Sequence, residues 1–322
     1  MNKDLLNRRQ FGARCAALGL SVPASTAMFA GQGFAQVPDT TPRTVKFPDG
    51  TVVPALGQGS WHLGQGVHRQ AVEEEAMRTG IALGMTVIDT SRNYGDGRSE
   101  RFIGKVIAGQ RDKVFLVSKV QADEIETGAA ANLGAGEQFA LTARTDIISR
   151  LCDQSLTRLG TNYLDLYLLH SPVPARFVAG VVAKFEELRA AGKIRAWGVS
   201  NHNVQQMDRL FGVPDGHRCA TNQWRYSLRD RQIERDILPW CIEHNMPMMA
   251  ASPLGGIEFA KTMLGERTLK DLGAAHGVSP AAVALAFVMR SGNVIAIPES
   301  GNPAHVKENA AALNIRWIPP TP

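Results

Sequence analysis

The chain has 322 residues, of which 44% are hydrophobic and 20% charged, and a formal net charge of +5. That composition buries a sizeable core and excludes a disordered or low-complexity protein. Much of the positive charge lies in the first 35 residues, where Lys3, Arg8, Arg9 and Arg14 face Asp4 alone; the remainder has no Lys/Arg cluster that would argue for a nucleic-acid partner.

In chain order, Asn7-Arg8-Arg9-Gln10-Phe11 opens a mildly apolar stretch that runs to about Ala30 and reaches Gly33-Phe34-Ala35. A basic start, a short apolar run and a small-x-small site make residues 1–35 a signal peptide. The paired arginines followed by phenylalanine resemble the twin-arginine signal, which implies the export machinery as a partner and a periplasmic destination. A basic, disordered tail is the alternative. Pro23 and several Gly and Ser leave the run too polar for a membrane span; the mature chain, 36–322, is expected to have no span and to be a monomer. Cys152, Cys219 and Cys241 remain, odd in number and without metal spacing, and are read as small buried hydrophobes.

Residues 43–53, RTVKFPDGTVV, place two short β-type runs around Pro-Asp-Gly, a hairpin. A strand over 54–58 runs into a Gly-Ser-Trp-His-Leu-Gly loop, and an acidic amphipathic helix over 69–83 stops at Gly84. Strands are then expected at 86–88, 114–118, 163–169, 194–199, 219–223, 247–250 and 294–297. Helices follow them at 98–108, 141–159, 175–191, 204–211, 232–245, 269–290 (divided near Gly277-Val278-Ser279-Pro280) and 303–313. A Gly/Ala-rich excursion fills 120–140. Eight strands, each followed by a helix, predict a parallel α/β fold, the (β/α)8 TIM barrel, with a short N-terminal β-hairpin. An open doubly wound sheet is disfavoured, because no G-x-G-x-x-G follows the first strand.

In such barrels the working residues stand at the C-terminal ends of strands. One expected strand runs into Asp89 in TVIDTSRNYGDG, and Tyr94 follows in the adjoining loop; others run into Lys119 and His170. Each residue alone has an ordinary explanation, such as a packed tyrosine or a helix-capping aspartate. Together on one face they suggest proton donation. A tyrosine is a weak acid, a nearby ammonium stabilises its phenolate and lowers its pKa, a carboxylate holds the ammonium, and a histidine orients a carbonyl oxygen or relays the proton. That set fits protonation of an oxygen gaining negative charge, as hydride reduction of a carbonyl requires.

Five ordered motifs make the chain resemble the aldo-keto reductases over residues 43–314: DTSRNYG, SLTRLGTNYLDLYLLH at 155–170, GKIRAWGVSN at 192–201, TNQW at 221–224 and IPESGNPAHVKEN at 297–309. The resemblance implies an NAD(P)H-dependent reduction of an aldehyde or ketone, or its reverse, on a small-molecule carbonyl substrate. Tyr94 would be the general acid, tuned by Lys119 and Asp89, with His170 orienting the substrate and Trp61 lining its pocket. Ser200, Asn201 and Gln223 would hold the nicotinamide carboxamide. Gly59 and Ser60 would lie against the cofactor, Ser252 and Leu254 would touch the pyrophosphate, and Ser300, Glu308 and Asn309 would hold the adenosine end.

Two sites depart from the family pattern. Ala251 stands where an aromatic usually stacks on the nicotinamide, which leaves a neighbour such as Trp224 to fill the gap. Glu299 and His305 replace the lysine and arginine of the 2′-phosphate site, and a carboxylate repels a phosphate while it bonds a ribose hydroxyl. These changes argue against a strong NADP preference over NAD. The chain also ends six residues after Arg316, without a long C-terminal loop. A cofactor-binding sensory or regulatory protein of the same fold is the alternative; the complete set of four groups favours the enzyme.

Overall fold

A computed structural model describes residues 43–127 and 137–315. The expected signal peptide, the middle of the Gly/Ala-rich excursion and Arg316 with its successors lie outside the described residues. The hairpin forms as expected: β1 (Thr44–Lys46) pairs antiparallel with β2 (Val52–Pro54), Val45 opposite Val53. Phe47 stacks on Phe115, with ring centroids 5.3 Å apart, at the start of a barrel strand. The hairpin therefore covers the N-terminal end of the barrel.

Eight parallel strands follow in sequence order: β3 (Gln58–Gly59), β4 (Val87–Asp89), β5 (Phe115–Val120), β6 (Leu164–Leu169), β7 (Ile194–Ser200), β8 (Asn222–Arg225), β9 (Met248–Ala251) and β10 (Val294–Ile297). Their cores are apolar because strands covered by helices outside and by packed side chains inside meet no water; all six residues of β6, LDLYLL, are buried. Bridges between Leu56 and Ala296 and between Gly59 and Glu299 close the ring. They are backed by hydrogen bonds from Gly57 N to Ala296 O, Ala296 N to Ala55 O and Gly59 N to Pro298 O.

The helices are α1 (Gln70–Ala82), α2 (Arg98–Ile107), α3 (Ala122–Thr127), α4 (Glu137–Leu159), α5 (Val178–Ala190), α6 (Val204–Phe211), α7 (Ile237–Glu243), α8 (Gly256–Gly265), α9 (Arg267–His276), α10 (Pro280–Val288) and α11 (Pro303–Ala310). On α2, Phe102, Ile103, Val106 and Ile107 recur at helical spacing and are all buried, each worth about 2 kcal/mol of transfer free energy. Asn203 and Gln206 form a reciprocal capping box on α6, and Ser279 caps α10 ahead of Pro280. No single described helix is long and apolar enough to cross a membrane.

Several boundaries and one helix differ from the sequence expectation. The first barrel strand is Gln58–Gly59, because Pro54 is taken into the hairpin and residues 55–57 meet the last strand by isolated bonds. The strand expected at 219–223 lies at Asn222–Arg225, shifted toward its polar end because the interior satisfies those side chains, Asn222 Nδ2 donating to His202 O and Gln223 Nε2 to Asp89 Oδ2. An unexpected helix, α8, follows β9, its Gly255-Gly256 start and Gly265 end having the look of a loop. The division of 269–290 appears as two helices bent by 95°.

A polar cluster anchors the opposite end of the barrel. Asp165, near the start of β6, accepts from Arg111 Nη2 at 2.7 Å, Arg195 Nη1 at 2.8 Å and the Leu116 amide at 2.8 Å. The three cysteines are buried as expected; burial raises the Cys152 and Cys241 thiols to about 12 and Cys219 higher, leaving all three inert.

Candidate active site

The C-terminal ends of β4, β5 and β6 bring the four expected groups together. Asp89 is the last residue of β4, Lys119 the penultimate residue of β5, and His170 directly follows β6, its amide donating to Val120 O at 2.9 Å. Lys119 is fully buried. Its Nζ donates to Asp89 Oδ1 at 2.5 Å, to Thr90 O at 2.9 Å and to Tyr94 Oη at 3.4 Å. Asp89 is buried too, its other oxygen taking the Gln223 amide at 2.8 Å. Tyr94 meets the His170 ring edge-on, centroids 5.9 Å apart, and Trp61 lies 6.3 Å away on the outer side.

Burial and charge set the protonation states. Burial alone would lower the pKa of Lys119, but Asp89 and Tyr94 together outweigh it and hold it above the ordinary value. Tyr94 departs from the expected direction. Burial raises its pKa, Asp89 adds to the rise, and the lowering by Lys119 does not reverse it. Burial, reinforced by the Lys119 cation, pushes His170 down to about 3, so the imidazole is neutral at pH 7. The site at rest holds a protonated phenol against an ammonium, beside a neutral imidazole.

A cavity of about 220 Å³ opens above this layer. Its lining includes Gly59, Ser60, Trp61, Asp89, Tyr94, Gln223, Ser252, Leu254 and Glu299 from the expected set, with Ala251, Pro253, Ile297 and Pro298 forming an apolar wall. Lys119 lies beneath it. Ser200 and Asn201 stand at the end of β7: Ser200 Oγ donates to Gln223 O, and Asn201, in a left-handed conformation with φ of 60°, donates to His170 O. Ser60 Oγ donates to Asp89 O, tying the first loop to β4. Ser300, Glu308 and Asn309 stand outside the cavity, Glu308 exposed and Asn309 buried on α11. Trp224 does not line the cavity; its indole N–H donates to His202 O, so the space beside Ala251 is left open.

The lining has the parts a nicotinamide nucleotide needs. Apolar Ala251 and Ile297 offer a surface for a flat ring, and the amide of Gln223 offers polar atoms. Gly59 brings backbone close, since a Cβ there would lie 3.0 Å from Ile297 O. The lining contains no lysine or arginine.

Three neighbours escaped the sequence reading. His62 donates its backbone N–H to Glu299 and pairs its Nδ1 with the same carboxylate at 2.9 Å, linking the loop after β3 to the loop after β10. Gln121 Nε2 lies 2.7 Å from His170 Nδ1, and Ser91 Oγ lies 3.3 Å from it. Gln121 had one legible signal: it stands two residues after Lys119, the spacing that returns a strand to the same face.

The model of the aldo/keto reductase family matches residues 55–319. The methylglyoxal reductase YeaE of Escherichia coli (strain K12) is 42% identical over 274 residues, covering 85% of this chain and 90% of the relative. The NADH-specific methylglyoxal reductase of the same organism is 28% identical over 312 residues, covering 84% and 94%. The structure of an aldo/keto reductase from Klebsiella pneumoniae in complex with NADP and acetate superposes with a TM-score of 0.76 at 39% identity, covering 86% of this chain and 91% of that one. With its closed barrel, its cleft at the C-terminal ends of the strands and a family match that spans every barrel strand, the chain belongs to the aldo/keto reductase family and is an NAD(P)-dependent carbonyl oxidoreductase.

Proposed function

We propose that Tyr94 donates the proton in this reaction and that the substrate is a small 2-oxoaldehyde. The observation that carries the first part is Lys119 Nζ, bonded at once to Asp89 Oδ1 and to Tyr94 Oη. A bound nicotinamide supplies the hydride. As the carbonyl oxygen gains charge, the phenol, protonated at rest because burial raises its pKa, gives up its proton, and the ammonium stabilises the phenolate left behind. Asp89 keeps Lys119 charged, and the neutral imidazole of His170 donates to the carbonyl oxygen and orients it. Tyr94→Phe should abolish carbonyl reduction and leave cofactor binding nearly intact, measured by turnover and by fluorescence titration; unchanged turnover refutes the assignment.

The substrate class is supported by the modest cavity, with half-exposed Trp61 at its rim, and by the methylglyoxal reductase YeaE at 42% identity. Trp61 lines the carbonyl side. Gly59 and Ser60 lie against the nicotinamide; Ser200, Asn201 and Gln223 hold its carboxamide. Ser252 and Leu254 contact the pyrophosphate, and Ser300, Glu308 and Asn309 the adenosine end. Glu299 and His305 stand in place of the lysine and arginine of the 2′-phosphate site, which favours comparable use of NADH and NADPH. Titration with both reduced cofactors checks this, and a hundredfold preference for NADPH overturns it. Residues 1–35 act as a twin-arginine leader for the barrel of 36–322, a reading carried by Arg8-Arg9 and the small-residue site at Ala35. Replacing both arginines by lysine should leave the protein in the cytosol, and normal export refutes it.

A further inference from the structure

We infer that Gln121 is a positioning residue that fixes the tautomer of His170, its side-chain amide donating to Nδ1 so that the ring's one proton sits on Nε2. The inference rests on the proposed role of His170 in orienting the carbonyl. A neutral imidazole has one nitrogen that donates and one that accepts, and a carbonyl oxygen is oriented only by the one that donates. Gln121 Nε2 stands 2.7 Å from His170 Nδ1. An amide nitrogen only donates, and a proton on Nδ1 would meet the amide's own, so this contact requires Nδ1 as acceptor.

The competing arrangement is weaker. Ser91 Oγ lies farther from Nδ1, at 3.3 Å, and its hydroxyl donates to Asn93 Oδ1 at 2.6 Å. Gln121 is itself held in place, its backbone N–H donating to Glu124 Oε2 at 3.3 Å while Glu124 pairs with Arg92. The charged and titratable groups around the imidazole are Lys119 on β5, with Asp89 of β4 behind it; Tyr94 on the loop after β4; and the Arg92–Glu124 pair beyond Gln121. Asn201, from the end of β7, bonds the backbone carbonyl of His170 and leaves the ring to Gln121. Burial and Lys119 keep the ring neutral, which makes its tautomer decisive.

Gln121→Glu separates this role from simple support. A carboxylate at the same place accepts from Nδ1–H, moves the neutral ring's proton off Nε2 and turns a lone pair toward the carbonyl oxygen. It also favours the imidazolium, in which both nitrogens donate again. The variant should therefore be most impaired at high pH, about tenfold or more in kcat, and its activity relative to wild type should recover as pH falls from 8.5 to 6. The experiment uses the full chain labelled with 15N, with methylglyoxal as the kinetic probe and His170→Asn to assign the imidazole signals. Wild-type shifts that show Nε2 protonated and Nδ1 bare, with a pH-dependent activity ratio for Gln121→Glu, support the inference. A protonated Nδ1 in wild type, or a ratio independent of pH, overturns it. The wild-type spectrum decides even if the variant fails to fold. Turnover by Tyr94→Phe would refute the proton-donor reading while leaving the tautomer measurement standing, so the two failures are distinguishable.

Discussion

Lys119→Met tests the physical core of the site. The wild-type ammonium is fully buried and satisfied by Asp89 Oδ1, Thr90 O and Tyr94 Oη. Removing it leaves the buried carboxylate of Asp89 with the Gln223 amide but no cation. Breaking one half of a buried ion pair costs about 3–5 kcal/mol, whereas removing both halves is often close to neutral. Urea unfolding at pH 7 should show a loss of that size for Lys119→Met and substantial recovery in Lys119→Met/Asp89→Asn. Both variants should be inactive, because Tyr94 loses the cation that stabilises its phenolate. A loss below about 1 kcal/mol, or a double variant no more stable than the single one, would refute the claim that this pair is a mutually dependent buried charge.

Asp165→Asn, at the opposite end of the barrel, should destabilise by about 2–3 kcal/mol through its weakened arginine contacts, read by urea midpoint, with kcat/KM on methylglyoxal unchanged; a matching loss of activity would show the two ends to be coupled. Burial pushes His202 down to about 4 and His170 to about 3. Their unfolded pKa is about 6.5, so the unfolded chain binds more protons below it and stability falls as pH drops from there. Each histidine contributes up to about 1.4 kcal/mol per pH unit, and His202→Asn should flatten the acid limb of the stability curve; an unchanged limb counts against a buried neutral His202. Gly57→Ala would place a Cβ 2.5 Å from Val87 O, so it should cost about 1–3 kcal/mol or more of stability, measured by thermal unfolding.

The barrel was legible because its evidence is local and repeated. Apolar runs such as LDLYLL, followed by helical patterns stopped by Gly84, Gly160 and Gly192, needed no long-range information. The tetrad was legible for a related reason, since Asp89, Lys119 and His170 sit where such runs end and Tyr94 follows in the next loop. What stayed hidden depended on partners distant in sequence. The extension of β8 through Trp224 and Arg225 was hidden because the polar side chains of Asn222 and Gln223 are satisfied inside the barrel by His202 and by Asp89, the latter 134 positions away. The His62–Glu299 pair joins positions 237 apart. The direction of the Tyr94 pKa needed the depth of burial as well as the identity of its neighbours, and the neighbours alone suggested the opposite sign.

The ring is closed where the barrel's first and last strands meet, by a short strand and a few isolated bonds at residues 55–59 and 296–299, with α1 and α11 packed together behind them. The cavity straddles that seam, with Gly59 and Ser60 on one bank and Ile297, Pro298 and Glu299 on the other. A ligand seated there works as a rivet across the joint, tying together two segments nearly 240 residues apart in the chain. Occupancy then stabilises the whole barrel by mass action. In the empty protein, the amides of Gly57, Gly59 and Ala296 become the places where exchange with solvent first reveals the ring opening.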